Sequence, residues 1–103
     1  MPRPGSNSAT QTRTRSSLKA PRMWKVILHN DDYTTQDFVV GILRNVFRKA
    51  EAEAVRIMLD VHQRGKGVAG IYTHEIAETK VAQVKVLAER EEFPLLCTLE
   101  VEE

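Results

Sequence analysis

Residues Met23-Trp24-Lys25-Val26-Ile27-Leu28-His29-Asn30-Asp31-Asp32-Tyr33-Thr34 read as a strand, then a turn, then the start of a helix. Trp24, Val26 and Leu28 alternate with Lys25, Ile27 and His29, so one face of the strand is fully apolar. Asn30-Asp31-Asp32 stops it, because these side chains bond to nearby backbone and favour turns. Thr34 is read as the N-cap of a helix, with Asp37 three residues on, close to a capping box.

The helix is predicted to run to about Lys49, with an apolar stripe of Phe38, Val39, Ile42, Leu43, Val46 and Phe47. Gly41 lies inside it, at a cost of about 1 kcal/mol relative to Ala, and no sequence feature explains it. A second helix spans about Ala50 to Arg64. Its start lacks a capping residue, whereas Gly65 and Gly67 around Lys66 mark its end. Val55, Met58, Leu59 and His62 share one face, with Val61 beside it. Val68 to Tyr72 is a short strand. Thr73 caps a third helix, whose stripe is Ile76, Ala77, Val81, Val84, Leu87 and Ala88. Pro94 closes that run. Leu95, Cys97, Leu99 and Val101 alternate with Leu96, Thr98 and Glu100 in a last strand. The order strand-helix-helix-strand-helix-strand predicts a two-layer α+β domain, with three helices on one face of a small three-stranded sheet. Strand order does not follow from sequence.

Ahead of this domain, residues 1–22 are rich in Ser, Thr, Pro, Gly and Arg and offer almost nothing to bury, so they are expected to be a disordered extension to a domain spanning 23–103. The net charge of +1 hides an asymmetry. Of the 15 Lys and Arg residues, five lie in 1–22 with no acid, leaving ten against 14 acids in the rest. A mildly acidic domain argues against nucleic-acid binding by the folded part. At 103 residues the chain has room for one modest core and hardly for a deep enclosed active site. Cys97 is the only cysteine, which rules out an intramolecular disulfide and a paired-cysteine zinc site. No apolar run approaches the roughly 18 residues of a membrane span. The extension is Arg- and Ser-rich without acids, as transit peptides are; a cytoplasmic tail is the preferred reading.

Two features could carry chemistry. Asn30-Asp31-Asp32 is ordinary turn chemistry on its face, but it also gathers acceptors that suit a protonated amine with three donors. His62 is an unremarkable surface histidine unless its neighbours matter; with Met58 and Val61 it forms a greasy patch with a polar tip. As an enzyme pair, His62 and Asp32 could be a base and its orienter, but no nucleophile is signalled. Gly65-Lys66-Gly67 is too short for a phosphate loop. The separations of His29, Asp32, His62 and His74 match no compact metal-ligand pattern. A ribosome or nucleic-acid accessory role, through the basic extension, is the rival from another class; salt-sensitive RNA binding lost with the extension would favour it.

Several stretches carry a resemblance. They are Lys25 through Thr34, Met58-Leu59-Asp60-Val61-His62, Ala77-Glu78-Thr79-Lys80-Val81 and Pro94-Leu95-Leu96-Cys97-Thr98-Leu99-Glu100. From Met23 to Glu100 the chain resembles ClpS, the bacterial adaptor of the Clp protease, whose fold is like the C-terminal domain of the ribosomal stalk protein. The resemblance implies an adaptor, not an enzyme, needing no cofactor. It would bind proteins whose first residue is Leu, Phe, Tyr or Trp and pass them to the hexameric unfoldase ClpA, which feeds the ClpP peptidase. By position, Asn30, Asp32 and His62 would bind the free α-amine. Asp31 and Thr34 would line the rim and contact the first peptide units. Val39, Met58, Val61 and Leu95 would wall the side-chain pocket, with Gln36 at its mouth where well-known members have Met. Glu75 and Lys80 match positions placed against the unfoldase. The N-terminal extension would serve delivery, its removal leaving peptide affinity nearly unchanged. Neither nucleic acid nor membrane is an expected partner, and the adaptor is expected to be a monomer.

Overall fold

The computed structural model describes residues 20–103; the expectations for the basic extension fall almost wholly outside them. Strand β1 (Met23–His29) leads through the loop 30–35 to α1 (Gln36–Asn45) and α2 (Glu51–Arg64). Strand β2 (Lys66–Thr73), α3 (His74–Arg90) and β3 (Leu96–Val101) complete the domain. The architecture is the expected α+β one, in the expected order.

The sheet has the order β2-β1-β3 and both pairings are antiparallel. Strand β1 is therefore central, and the two strands far from it in sequence close on its two sides. On one face Trp24, Val26 and Leu28 stand with Tyr72, Cys97 and Leu99, and all pack into a single core with the apolar stripes of the helices. Leu28, Leu43, Val26 and Val84 are its largest fully buried side chains; truncating such a leucine to alanine costs about 2–5 kcal/mol. The other face carries Lys25, Ile27 and His29, and there Ile27 is only 4% exposed although it lies outside the main core. Its cross-strand neighbours Val68 and Thr98 cover it, as expected for a central strand. The register slips between Val26 and Ile27, leaving Ala69 as an extra residue in β2 and turning its methyl into the core.

Three local expectations are corrected. Thr35, not Thr34, caps α1: its hydroxyl accepts from the Phe38 N–H at 3.1 Å. Helix α1 ends at Asn45, short of Lys49. Arg48 adopts φ 58°, and the Lys49 N–H bonds the Leu43 carbonyl at 3.0 Å, so Val46 and Phe47 are buried from a turn that continues the stripe without continuing the helix. Thr73 stands at the N-cap of α3, but its side chain makes no capping hydrogen bond.

The other boundaries follow recognisable chemistry. Gly65 ends α2 at φ 92°, in the left-handed region, and its N–H bonds the Val61 carbonyl. Gly67 lets β2 approach α2, since a methyl there would stand 3.0 Å from a Val61 methyl. Helix α3 closes in a Schellman arrangement: Phe93 N–H bonds Ala88 O, Glu92 N–H bonds Glu89 O, and Glu92 takes φ 59°. Phe93 then meets Phe38 edge-on, with ring centroids 5.0 Å apart.

Candidate functional site

The loop that leaves the central strand sits beside the end of α2 because the Asn30 N–H donates to the Gly65 carbonyl at 2.9 Å. That bond sets the Asn30-Asp31-Asp32 turn alongside the last turn of α2, where His62 lies. Helical spacing puts Met58, Val61 and His62 on one face at i, i+3 and i+4. The result is a depression of about 420 Å³ lined by Asn30 through Gln36 and by Val39, Met58, Val61 and His62. Its volume lies in the range of roughly 300–1,000 Å³ typical of small-ligand sites.

The lining divides by chemistry. Val39, Met58 and Val61 are buried members of the main core and form an apolar floor. Asn30, Asp32, Gln36 and His62 are exposed and form a polar rim. Asp31 and Thr34 are half-buried between them. The Asp31 carboxylate accepts from the Tyr33 N–H (2.8 Å), the Thr34 N–H (2.7 Å) and the Thr34 hydroxyl (2.7 Å). Burial pushes the Asp31 carboxyl up, but hydrogen bonds from Thr34 and Tyr33 outweigh it and hold the group below its ordinary 3.8.

Ten of the pocket and amine-site residues read from the sequence can be placed against this depression. Nine of them line it: Asn30, Asp31, Asp32, Thr34, Gln36, Val39, Met58, Val61 and His62. The tenth, Leu95, does not; it lies in the same buried core, lining a cleft beside Phe93 and Val81. Tyr33 and Thr35 also line the depression and were given no role in it by the sequence reading. Tyr33, 75% exposed, is the most exposed large hydrophobic side chain among the described residues, and an aromatic in an acidic turn was the available signal.

Glu75 and Lys80 stand apart on α3, which contributes nothing to the depression. Glu75 is exposed in the first turn. Lys80 is not the freely solvated residue its helix position suggests. It is half-buried, its ammonium donates to the Val46 carbonyl at 2.8 Å, and it stands 5.7 Å from the centre of the Tyr72 ring. Of the histidines weighed as metal ligands, His29 bonds Thr98 and His74 stacks edge-on against Trp24. Among the described residues no three His, Cys, Asp or Glu side chains converge, and no helix is long and apolar enough to cross a membrane.

A more apolar groove of about 520 Å³ lies between α1 and α3, flanked by Val46, Val86 and Leu87. Its polar lining, Asn45, Thr79, Gln83 and Arg90, includes no carboxylate, so the smaller depression, with Asp31 and Asp32, is the better candidate for recognising a cation. Fold and site together define a small α+β binding domain with a polar-rimmed, apolar-floored recess.

The sequence family described as "ATP-dependent Clp protease adaptor protein ClpS" matches residues 19–98. ATP-dependent Clp protease adapter proteins ClpS from two bacteria are close relatives. That of Desulfatibacillum aliphaticivorans is 56% identical over 91 residues, covering 88% of each chain. That of Deinococcus radiodurans is 54% identical over 99 residues, covering 96% of this chain and 88% of its own. Among solved structures, Agrobacterium tumefaciens ClpS2 bound to L-phenylalaninamide superposes with a TM-score of 0.77 at 40% identity, covering 81% of this chain and all of that one. The chain belongs to the ClpS family of Clp protease adaptors.

Proposed function

We propose that this adaptor binds proteins by a destabilising first residue (Leu, Phe, Tyr or Trp) and delivers them to the ClpA unfoldase for degradation by ClpP. The observation that carries the reading is the meeting of Asn30, Asp32 and His62 with Val39, Met58 and Val61 around one recess. The rim suits a protonated α-amine and the floor suits a large apolar side chain. The ligand of the Agrobacterium relative, L-phenylalaninamide, has both features.

The energetics favour a requirement for both. Each charge-assisted hydrogen bond to the amine contributes roughly 1.5–3 kcal/mol. Burial of a Leu or Phe side chain adds about 1.5–3 kcal/mol. Lost translational and rotational freedom offsets much of either alone. In this reading the protein makes and breaks no bond, needs no cofactor, and works as a monomer in the cytoplasm. Val39, Met58 and Val61 wall the side-chain pocket without Leu95, while Glu75 and the α3 surface near it face the unfoldase.

The test is reconstitution. A reporter beginning with Phe should be degraded by ClpA, ClpP and ATP faster when the adaptor is added, and a Met-first reporter should be unaffected. Equal acceleration of both reporters would contradict the reading.

A further inference from the structure

Resting on the amine-binding reading above, we infer that Asp31 is a positioning residue for the recess, whose carboxylate holds the loop and does not serve as counter-charge to the substrate amine. The two neighbouring aspartates are in different situations. Both carboxylate oxygens of Asp31 are engaged inside the loop. Oδ1 accepts from the Tyr33 and Thr34 backbone N–H groups, and Oδ2 accepts from the Thr34 hydroxyl. A carboxylate has about four lone-pair sites, and three are occupied here. The Asp32 carboxylate is exposed at the rim, and among the described residues it takes part in no hydrogen bond or ion pair.

The bonds of Asp31 also fall where the loop needs them. One end is held by Asn30 on Gly65, the other by Thr35 on Phe38. Between these anchors, among the described residues, only Asp31 ties the chain to itself, folding Tyr33 and Thr34 back so that Asp32 projects from the bend. Without that tie the 30–35 segment has two fixed ends and a loose middle, and ordering it on binding would cost affinity.

This assignment separates Asp31 from Asp32 by chemistry. Asn at position 31 keeps an oxygen for the two backbone donors, and its amide can donate to the Thr34 hydroxyl, which accepts as readily as it donates. The geometry survives without the charge.

The experiment titrates a Phe-first peptide against wild type, Asp31→Asn, Asp31→Ala and Asp32→Asn, and follows amide exchange at Tyr33 and Thr34 by NMR without ligand. Asp31→Asn should keep wild-type protection and bind within about threefold of wild type, while Asp31→Ala loses protection and about tenfold or more in affinity. Asp32→Asn should lose affinity with protection intact. Asp31→Asn weakened as much as Asp32→Asn, with both amides still protected, would overturn the inference. Wild-type affinity in Asp32→Asn would instead overturn the amine-site reading. In that case the exchange data still judge Asp31: protection retained in Asp31→Ala refutes its positioning role, and protection lost supports it.

Discussion

The backbone N–H of Asn30 and the carbonyl of Gly65 are joined at 2.9 Å, and this bond links the acidic loop to the helix that carries His62. Gly65 can offer its carbonyl there because it turns out of α2 at φ 92°. A side chain in the left-handed region costs roughly 1–2 kcal/mol. Gly65→Ala should therefore lower unfolding stability by about 1 kcal/mol and weaken peptide binding, because the loop loses its reference to His62. Gly65→Asn should be milder, since Asn tolerates this conformation. Denaturant titration of both variants checks the order; an alanine variant as stable as wild type would contradict it.

Lys80 ties α3 to the end of α1 through the Val46 carbonyl, across 34 residues of sequence. Lys80→Met keeps the aliphatic stem and removes the donor, and should cost about 1 kcal/mol, or roughly 4–8 °C in Tm for a domain of this size. Peptide affinity should hold. A delivery defect in such a variant cannot be assigned to a lost unfoldase contact unless stability is matched. Unchanged Tm would remove the structural role.

Burial pushes the Cys97 thiol from 9.0 up to about 12. The thiolate is the reactive form, so at pH 8 its fraction falls from about one in ten to about one in ten thousand. Iodoacetamide should modify the folded protein about a thousandfold more slowly than the unfolded chain. Because the folded value is raised, the stability tied to the neutral thiol is full below pH 9 and declines as pH rises from 9 toward 12. Folded and unfolded rates within tenfold of each other would contradict this.

Gln36 is exposed at the first position of α1 and lines the recess. A β-branched first residue is wide next to its own backbone, where Gln36 would crowd it. Leu and Phe should be accepted and Ile and Val largely refused, with Gln36→Ala admitting Ile and Val and changing Leu less. Competition among peptides differing only in the first residue decides this. Equal changes for Ile and Leu would move selectivity deeper, toward Met58.

Local patterns made much of this architecture legible. Alternation exposed β1 and β3, and Gly65 announced the end of α2. Strand order was not legible, because β1 pairs with segments roughly 40 and 70 residues away and all three strands are apolar on the core side. The end of α1 was missed because Val46 and Phe47 keep the helical stripe while Arg48, with no glycine to mark the turn, takes the left-handed conformation. Two adjacent threonines could each cap α1; the bonds from Thr34 to Asp31 leave Thr35 to do so. In the site, turn chemistry and the i, i+3, i+4 face were visible in the residues themselves, but their meeting followed only from the family resemblance, since it rests on long-range contacts such as the Asn30–Gly65 bond. Gly41 remains without a packing reason: a methyl there would meet nothing within 4 Å.

The central claim is that Asn30, Asp32 and His62 receive a free α-amine while Met58 and its neighbours receive the side chain. Its most direct test is a titration of two peptides that begin with Phe and differ only in N-acetylation. Acetylation removes the charge and two of the donors, so affinity should fall at least about tenfold to a hundredfold. Equal affinity for the free and acetylated peptides would contradict the account.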